Sequence, residues 1–315
     1  MVMTNDQSRV LVLGSLNMDL VVPVAAQPSP GDTVLGADVQ TFPGGKGANQ
    51  AAAAALAGGN VSMLGRVGND GYGDELRAAL NSVQVNTNRV LSTVGPSGMA
   101  FITVDDNGEN MIVVSSGANR KLVPTDLREE DFANVSVLLM QLELPLDTVT
   151  HAAALAWDRD ITVILNAAPV APLPPELLNH ISILVVNEGE AGSLAGLPVN
   201  NVTQAEQASQ KLIDQGVDSV IVTLGSAGAY WQSNNNGGLI KPHSVTAIDT
   251  TAAGDAFCGA LAAELSQGNN LEEGLTFANA AGAITVTKLG AQPSLPTKME
   301  IDSLLLTANS GPRTN

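Results

Sequence analysis

An aspartate closes the run Asp249-Thr250-Thr251-Ala252-Ala253-Gly254-Asp255, and an apolar helix sequence, Ala256-Phe257-Cys258-Gly259-Ala260-Leu261, follows at once. The first-turn N–H groups of a helix have no intrahelical acceptors, and the helix dipole is positive at that end, so such a start attracts phosphate. Small side chains at Ala252, Ala253 and Gly254 let the backbone approach a phosphoryl group closely, while Asp255 stands where it can accept a proton from an alcohol. Phosphoryl transfer to a hydroxyl is the chemistry this pairing would support. The same residues also fit an ordinary acidic helix start, since Asp is favoured at N-caps and in first turns.

Other segments offer partners for that aspartate. In Thr41-Phe42-Pro43-Gly44-Gly45-Lys46-Gly47-Ala48-Asn49-Gln50, glycines surround one lysine just before an Ala-rich stretch. Lys46 and Asn49, three apart, share a face in a helical first turn and can reach hydroxyls or phosphate oxygens together. This is not a Walker A loop, because Gly47 stands where that loop needs Ser or Thr, and no GxGxxG run suited to a dinucleotide follows a strand. Asn17 and Asp19 flank Met18, so in extended chain both point the same way and offer an amide and a carboxylate to a polyol. Gln141-Leu142-Glu143 ends an apolar strand with a carboxylate. Asn187 and Glu190 lie three apart at a helix start and can order a hydrated Mg²⁺ with phosphate oxygens. Thr223-Leu224-Gly225-Ser226-Ala227-Gly228 is a small-residue loop able to cradle a nucleotide. Each segment alone also fits a cap, a turn or a solvated carboxylate. Together they put polar groups at nearly every strand end, where ligands of open α/β sheets bind.

The elements that must hold these residues follow a βαβ rhythm. Apolar strands are expected at 10–14, 136–141, 161–166, 183–186 and 219–223, each a continuous run of the kind buried on both faces of a parallel sheet. Helices are expected at 50–57, 149–158, 204–215, 255–267 and 271–288. Two stretches break the rhythm. Residues 20–42 and 98–114 carry alternating β-type residues, with a turn at Asp105-Asp106-Asn107-Gly108, and read as hairpin strands of a small β subdomain able to cover the site. The tail from Ser310 is expected to fray.

Composition narrows the function classes. The chain has 315 residues, with 14 Lys and Arg against 31 Asp and Glu, for a formal charge of -17. A nucleic acid would meet a repulsive field, and no basic patch offsets it. No apolar run approaches the roughly 20 residues that span a bilayer, so a soluble, cytoplasmic protein with no membrane partner is expected. The single Cys258 excludes an internal disulfide framework and reads as a buried, inert thiol. His151, His180 and His243 are too dispersed to suggest a metal cluster. The 5 Phe, 2 Trp and 2 Tyr include few candidates to sandwich a base.

Gly44-Gly45-Lys46-Gly47-Ala48-Asn49 and the segment from Asp249 to Asp255 resemble the two signatures of the ribokinase family of carbohydrate kinases, also called the PfkB family. The resemblance runs from end to end. Gly14-Ser15-Leu16-Asn17-Met18-Asp19, Gln141-Leu142-Glu143, Thr250-Thr251-Ala252-Ala253 and Gly290-Ala291-Gln292-Pro293-Ser294 are similar to the branch that gives the family its name. It implies one doubly wound α/β domain over residues 1–315, a mostly parallel sheet flanked by helices, with an inserted β-sheet lid formed by residues 17–44 and 96–117. It implies ATP-dependent phosphorylation of D-ribose at the 5-hydroxyl, and a homodimer joined through the lid. Asp255 then resembles the catalytic base, with Ala252, Ala253 and Gly254 forming the anion hole. Asn17, Asp19, Gly45, Lys46, Gly47, Ala48, Asn49 and Glu143 match sugar-binding positions. Asn187, Glu190, Thr223, Leu224, Gly225, Ser226, Ala227, Gly228 and Asn279 match nucleotide-binding positions, where Gly254 and Asp255 also contribute, and Glu190 organises the Mg²⁺ that accompanies ATP. Asp249, Thr251, Thr285, Lys288, Gly290 and Ser294 match positions that hold a monovalent cation, K⁺, several through carbonyl oxygens. Ala252 stands where many relatives carry Gly. A sibling sugar or nucleoside kinase, or a sugar-binding sensor without turnover, are the rival readings.

Overall fold

In β1 (Arg9–Leu13) the side chains of Val10 and Val12 enter one hydrophobic core and those of Leu11 and Leu13 another, so the strand is buried on both faces. This is how a continuous apolar run is used in a parallel sheet. The computed structural model describes residues 9–309; the expected fraying from Ser310 lies outside them. After β1 come β2 (Asn17–Pro23), β3 (Gln40–Gly44), α1 (Lys46–Leu56), β4 (Asn60–Gly68), α2 (Gly71–Ser82), β5 (Asn86–Thr93), β6 (Gly98–Val104) and β7 (Asn110–Ser115). The second half runs β8 (Val135–Met140), α3 (Leu146–Trp157), β9 (Thr162–Asn166), α4 (Pro175–Leu178), β10 (Ile183–Asn187), α5 (Glu188–Ala195), α6 (Val202–Ile213) and β11 (Ser219–Thr223). It ends with β12 (Ala229–Ser233), β13 (Gly237–Ile240), α7 (Ala253–Ser266), α8 (Leu271–Thr285) and α9 (Lys298–Asn309).

Among the described residues the main sheet has the order β13-β12-β11-β10-β9-β8-β1-β4-β5, parallel except for the antiparallel strands β12 and β13 at one edge. Helices α1, α2, α7, α8 and α9 supply one core, and α3 to α6 the other. Strand order reverses between β1 and β8, and a crevice at the carboxyl ends of such a pair is the usual ligand position. A smaller four-stranded sheet has the order β3-β2-β6-β7.

The expected strands and helices between 136 and 288 occur within a few residues of their expected bounds, which is the scatter of any boundary assignment. Three departures matter. Helix α1 begins at Lys46 rather than at 50, because Gly45 turns the chain at φ 89° and brings the lysine into the first turn. Only half of the small sheet is a hairpin: β6 and β7 close at the Asp105–Gly108 turn, whereas β2 and β3 are separated by residues 24–39, and β2 pairs in parallel with β6. The unit β4-α2-β5 between residues 60 and 93 was not anticipated, since Gly65 and Arg66 interrupt the apolar run of β4 and six of the eight residues of β5 are polar.

Candidate active site

Helices α1 and α7 meet almost backbone to backbone. A Cβ built at Gly259 would lie 2.6 Å from Ala53 Cβ and 2.6 Å from the Gln50 carbonyl oxygen. The alanines and glycine of the two helices thus set how near their first turns approach. At that junction Asn49 Nδ2 donates to Asp255 Oδ2 at 3.0 Å, and Gln50 Nε2 donates to Asp255 Oδ1 at 2.9 Å. Asp255 is only 7% exposed. Burial pushes its carboxyl above the usual range, while the Lys46 ammonium and the two amides pull the other way. A carboxylate so placed keeps acceptor capacity for a hydroxyl proton.

The sugar-facing candidates gather at the β1/β8 crevice. Glu143 Oε2 accepts from Ser15 Oγ at 2.5 Å, from the Lys46 amide at 3.3 Å and from Asn17 Nδ2 at 3.5 Å. The α1 start presses on the end of β1: Ala48 N–H donates to the Ser15 carbonyl, and a Cβ at Gly47 would lie 2.5 Å from the Gly14 backbone. Asp19 lies on β2 beside Gly44, where a Cβ would stand 2.2 Å from its Oδ2. Burial, then Glu143 and Asp255, push the Asp19 carboxyl up to about 7. Burial disfavours the Lys46 ammonium, but Asp255, Glu143 and Glu190 outweigh it and raise its pKa. Asn17, Asp19, Gly45, Lys46, Gly47, Ala48, Asn49, Glu143 and Asp255 are therefore one cluster.

On the other side of Asp255, a cavity of about 570 Å³ is lined by Thr223, Gly225, Ser226, Gly228, Asn279 and Gly254, with Phe257 and His243. Leu224 differs from its neighbours: its side chain is buried in the core under the sheet. Ala227 is exposed on the same turn. Asn279 Nδ2 donates to the Lys241 carbonyl at 2.8 Å. A second cavity of about 220 Å³, lined by Lys46, Asn187, Glu190, Ala252, Gly254 and Asp255, shares Thr223, Thr250 and Gly254 with the first. Asn187 and Glu190 cap α5 reciprocally, at 2.9 and 2.8 Å. Burial raises the Glu190 carboxyl despite its bond from the Asn187 amide and the nearby Lys46. Its oxygen donors are of the kind a hard divalent cation takes.

The N-cap of α7, Ala252, has φ 60°, a left-handed turn that aims the chain into the helix. Asp249 braces the loop before it, accepting from the Thr251 amide and from the Gly290 amide, each at 2.9 Å. Burial works to raise its carboxyl, but the Thr251 and Gly290 bonds hold it below the usual range. The side chains of Thr285, Lys288 and Ser294 are engaged elsewhere: Thr285 Oγ1 with the Ala281 carbonyl, Lys288 Nζ with Glu300, and Ser294 Oγ with the Ala291 carbonyl. Their contribution to an ion would have to come from carbonyl oxygens. One carboxylate with main-chain oxygens is a donor set suited to a hard cation. Among the described residues no group of three or more His, Cys, Asp and Glu could hold a metal, and no helix is long and apolar enough to cross a membrane. The Cys258 thiol is buried in the smaller cavity, and burial with Asp255 pushes its pKa well up, which leaves it protonated and unreactive.

Several site residues had no sequence signal. Asn119 clamps Leu16 through both backbone groups, at 3.0 and 3.1 Å, and donates to Asn17 Oδ1 at 2.8 Å. Gln50, Gln141 and Asn166 form a buried amide network behind Asp255. Their positions are set by tertiary packing; only the adjacency of Gln50 to Asn49, and of Gln141 to Glu143 in one segment, could have pointed to them.

The sequence matches the pfkB family of carbohydrate kinases over residues 7–298. It is 41% identical over 293 residues to the ribokinase of Haemophilus influenzae, covering 92% of this chain and 95% of the relative. It is 34% identical over 300 residues to the deoxyribokinase of Salmonella typhi, covering 94% and 98%. The structure of Arabidopsis thaliana ribokinase complexed with ribose and ATP matches with a TM-score of 0.88 at 34% identity, over 95% of this chain and 98% of that one.

Proposed function

The chain belongs to the pfkB family of carbohydrate kinases, and from that premise we propose that it is a ribokinase, transferring the γ-phosphoryl group of ATP to the 5-hydroxyl of D-ribose. One observation carries the reading: Asp255, tied to Asn49 and Gln50, lies on the wall of the small cavity that joins the sugar-facing cluster to the larger cavity. Asn17, Asp19, Gly45, Lys46, Asn49 and Glu143 hold the sugar. Asp255 accepts the hydroxyl proton as that oxygen attacks the γ-phosphorus, and the bond to the bridging oxygen of ADP breaks. Amides of the first turn of α7, with Lys46, meet the negative charge spread over the transferring group. Thr223, Gly225, Ser226, Gly228 and Asn279 line the space for the nucleotide.

Glu190 and Asn187 would hold Mg²⁺ with the triphosphate, and Asp249 with carbonyl oxygens at Thr251, Thr285, Lys288, Gly290 and Ser294 would hold K⁺. Bound there, Mg²⁺ supplies charge neutralisation and K⁺ keeps the loop before α7 in place. Residues 17–44 and 96–117 act as a lid on a single domain. Exposed Phe101, Met111, Ile112, Val113 and Val114 on β6 and β7 support a homodimer through it, and larger exposed apolar patches mark such contacts. We read the enzyme as cytoplasmic, with its one cysteine buried and reduced.

A coupled ADP-release assay with D-ribose, Mg²⁺ and K⁺ tests the reading. Ribose-dependent ADP is expected, and its absence refutes it. 2-Deoxyribose as the better substrate by kcat/KM would instead favour the deoxyribokinase relative. Asp255→Asn should keep sugar binding and lose roughly 10²–10⁴-fold in turnover.

A further inference from the structure

Behind Asp255 lies a chain of side-chain amides with a fixed direction. Gln50 and Gln141 are both fully buried. Gln141 Nε2 donates to Gln50 Oε1 at 2.6 Å, and Gln50 Nε2 donates onward to Asp255 Oδ1 at 2.9 Å and to Asn166 Oδ1 at 3.0 Å. Asn166 is held in turn by its own donation to the Val185 carbonyl at 3.2 Å. A glutamine amide can present either its oxygen or its nitrogen. Asn166 commits its own nitrogen to the Val185 carbonyl, so its oxygen faces Gln50 and accepts only from N–H; this turns the Gln50 nitrogen toward Asn166 and Asp255 and leaves its oxygen to accept from Gln141, whose own Oε1 has no partner. The fold makes room for this arrangement at Gly14, where a Cβ would lie 2.2 Å from Gln141 Oε1. We propose that Gln50, its amide direction set by Asn166, is a positioning residue for Asp255, holding one carboxylate oxygen so that the rest of its acceptor capacity faces the sugar hydroxyl.

The inference deepens the phosphoryl-transfer reading and rests on it. The relay adds no charge beside the base. The charged groups facing Asp255 are Lys46 from α1, Glu143 from the segment after β8 and Asp19 from β2, with Cys258 on its own helix and Glu190 facing Lys46. Two neutral donors, from Asn49 and Gln50, occupy one site on each oxygen. A carboxylate has about four acceptor sites, so the remaining lone pairs stay free. If Gln50 turned its oxygen to Asp255, two acceptors would oppose each other in a buried site, and the aspartate would have to bind a proton to relieve it.

Wild-type turnover with D-ribose and MgATP comes first and tests the kinase reading alone. The relay is then read in the ligand-free protein, by isotope-edited infrared titration of the Asp255 carboxyl, identified as the signal missing from Asp255→Asn. In Gln50→Met the titration should move to higher pH, and kcat should fall about 10–100-fold with its acid limb moving the same way. KM for the sugar should change by less than about threefold. Asn166→Leu, which removes the anchored acceptor and frees the Gln50 amide to turn, should move both readouts in the same direction. Adding Gln50→Met to Asp255→Asn should cost no further turnover, since Gln50 acts through Asp255. An unmoved titration, or losses that multiply in the double variant, would overturn the proposal. If Gln50→Met does not fold, Asn166→Leu decides by the same two readouts.

Discussion

Replacing Gly259 by alanine tests the claim that the α1–α7 contact sets the catalytic geometry. The new Cβ would meet the Gln50 carbonyl oxygen and Ala53 Cβ at 2.6 Å and the Ala54 nitrogen at 2.7 Å. Two of these are backbone atoms, so no side chain can swing aside. Carbon contacts settle at about 3.5–4.0 Å, so α7 must move away from α1 by about 1 Å. Overpacking of this kind costs about 1–3 kcal/mol. The gain in helix propensity from Gly to Ala returns up to about 1 kcal/mol, which leaves a net loss of about 0–3 kcal/mol. Activity should suffer more, because the same movement separates Asp255 from Asn49 and Gln50, and a 1 Å misplacement can cost on the order of 100-fold in kcat. The assay pairs kcat from ADP release with thermal unfolding, using Gly71→Ala as a control, since a Cβ there meets nothing within 4 Å. If Gly259→Ala keeps wild-type kcat, or loses it only in proportion to the fraction unfolded, the argument from helix contact is wrong.

Asp19, with its carboxyl raised to about 7 in the folded chain against 3.8 for an unperturbed aspartate, binds a proton more readily when folded. Ligand-free stability should therefore fall as pH rises from about 4 to 7, and Asp19→Asn should remove that slope and raise Tm at pH 8 but not at pH 3. Asn119→Ala leaves the buried Leu16 amide and carbonyl without their partner, a loss of about 1–3 kcal/mol. It should raise KM for the sugar more than it lowers kcat, and equal losses in both would argue against a role confined to placing Asn17. Asp249→Ala removes the acceptor that joins Thr251 to Gly290. It should abolish K⁺ activation and lower kcat, which titration of KCl into the ADP assay would show; undiminished activation would exclude Asp249 from the cation site.

How much of this was legible from the sequence depends on the range of the interaction. The parallel strands could be read because β1, β8, β9, β10 and β11 are buried on both faces and so are apolar throughout. Strand β5 could not, since at the sheet edge it gives only Val90 to one core and Leu91 to the other, and its other six residues are polar. The pairing of Asp255 with Lys46 and Asn49 could be suspected, as each lies beside a glycine-marked helix start. Asn119 could not be, because a buried amide with no local motif is defined by a partner about a hundred residues away, and the motif that holds Gln141 did not show that it bonds Gln50. The parallel pairing of β2 with β6 was hidden for the same reason: nothing local in either strand states which distant strand it joins.

The charge pattern of the site explains why the phosphate side is so poor in lysine and arginine. A polyol needs acceptors, and Asp19, Glu143 and Asp255 supply them around a single Lys46. Every cation added near Asp255 would lower its pKa and weaken it as a base, as Lys46 already does against the opposing effect of burial. In the proposed reading an anionic donor would nevertheless enter the cavity of about 220 Å³ that Asp255 lines. Main-chain N–H groups resolve the conflict, since they stabilise the transferring group with partial charge and do not compete for the proton. The larger cavity follows the same rule: Thr223, Gly225, Ser226, Gly228 and Asn279 are neutral, and burial lowers the pKa of His243 and so favours its uncharged form. In the proposed reading, the run of small residues between Asp249 and Asp255 would let a backbone serve where a side-chain cation would disable the base.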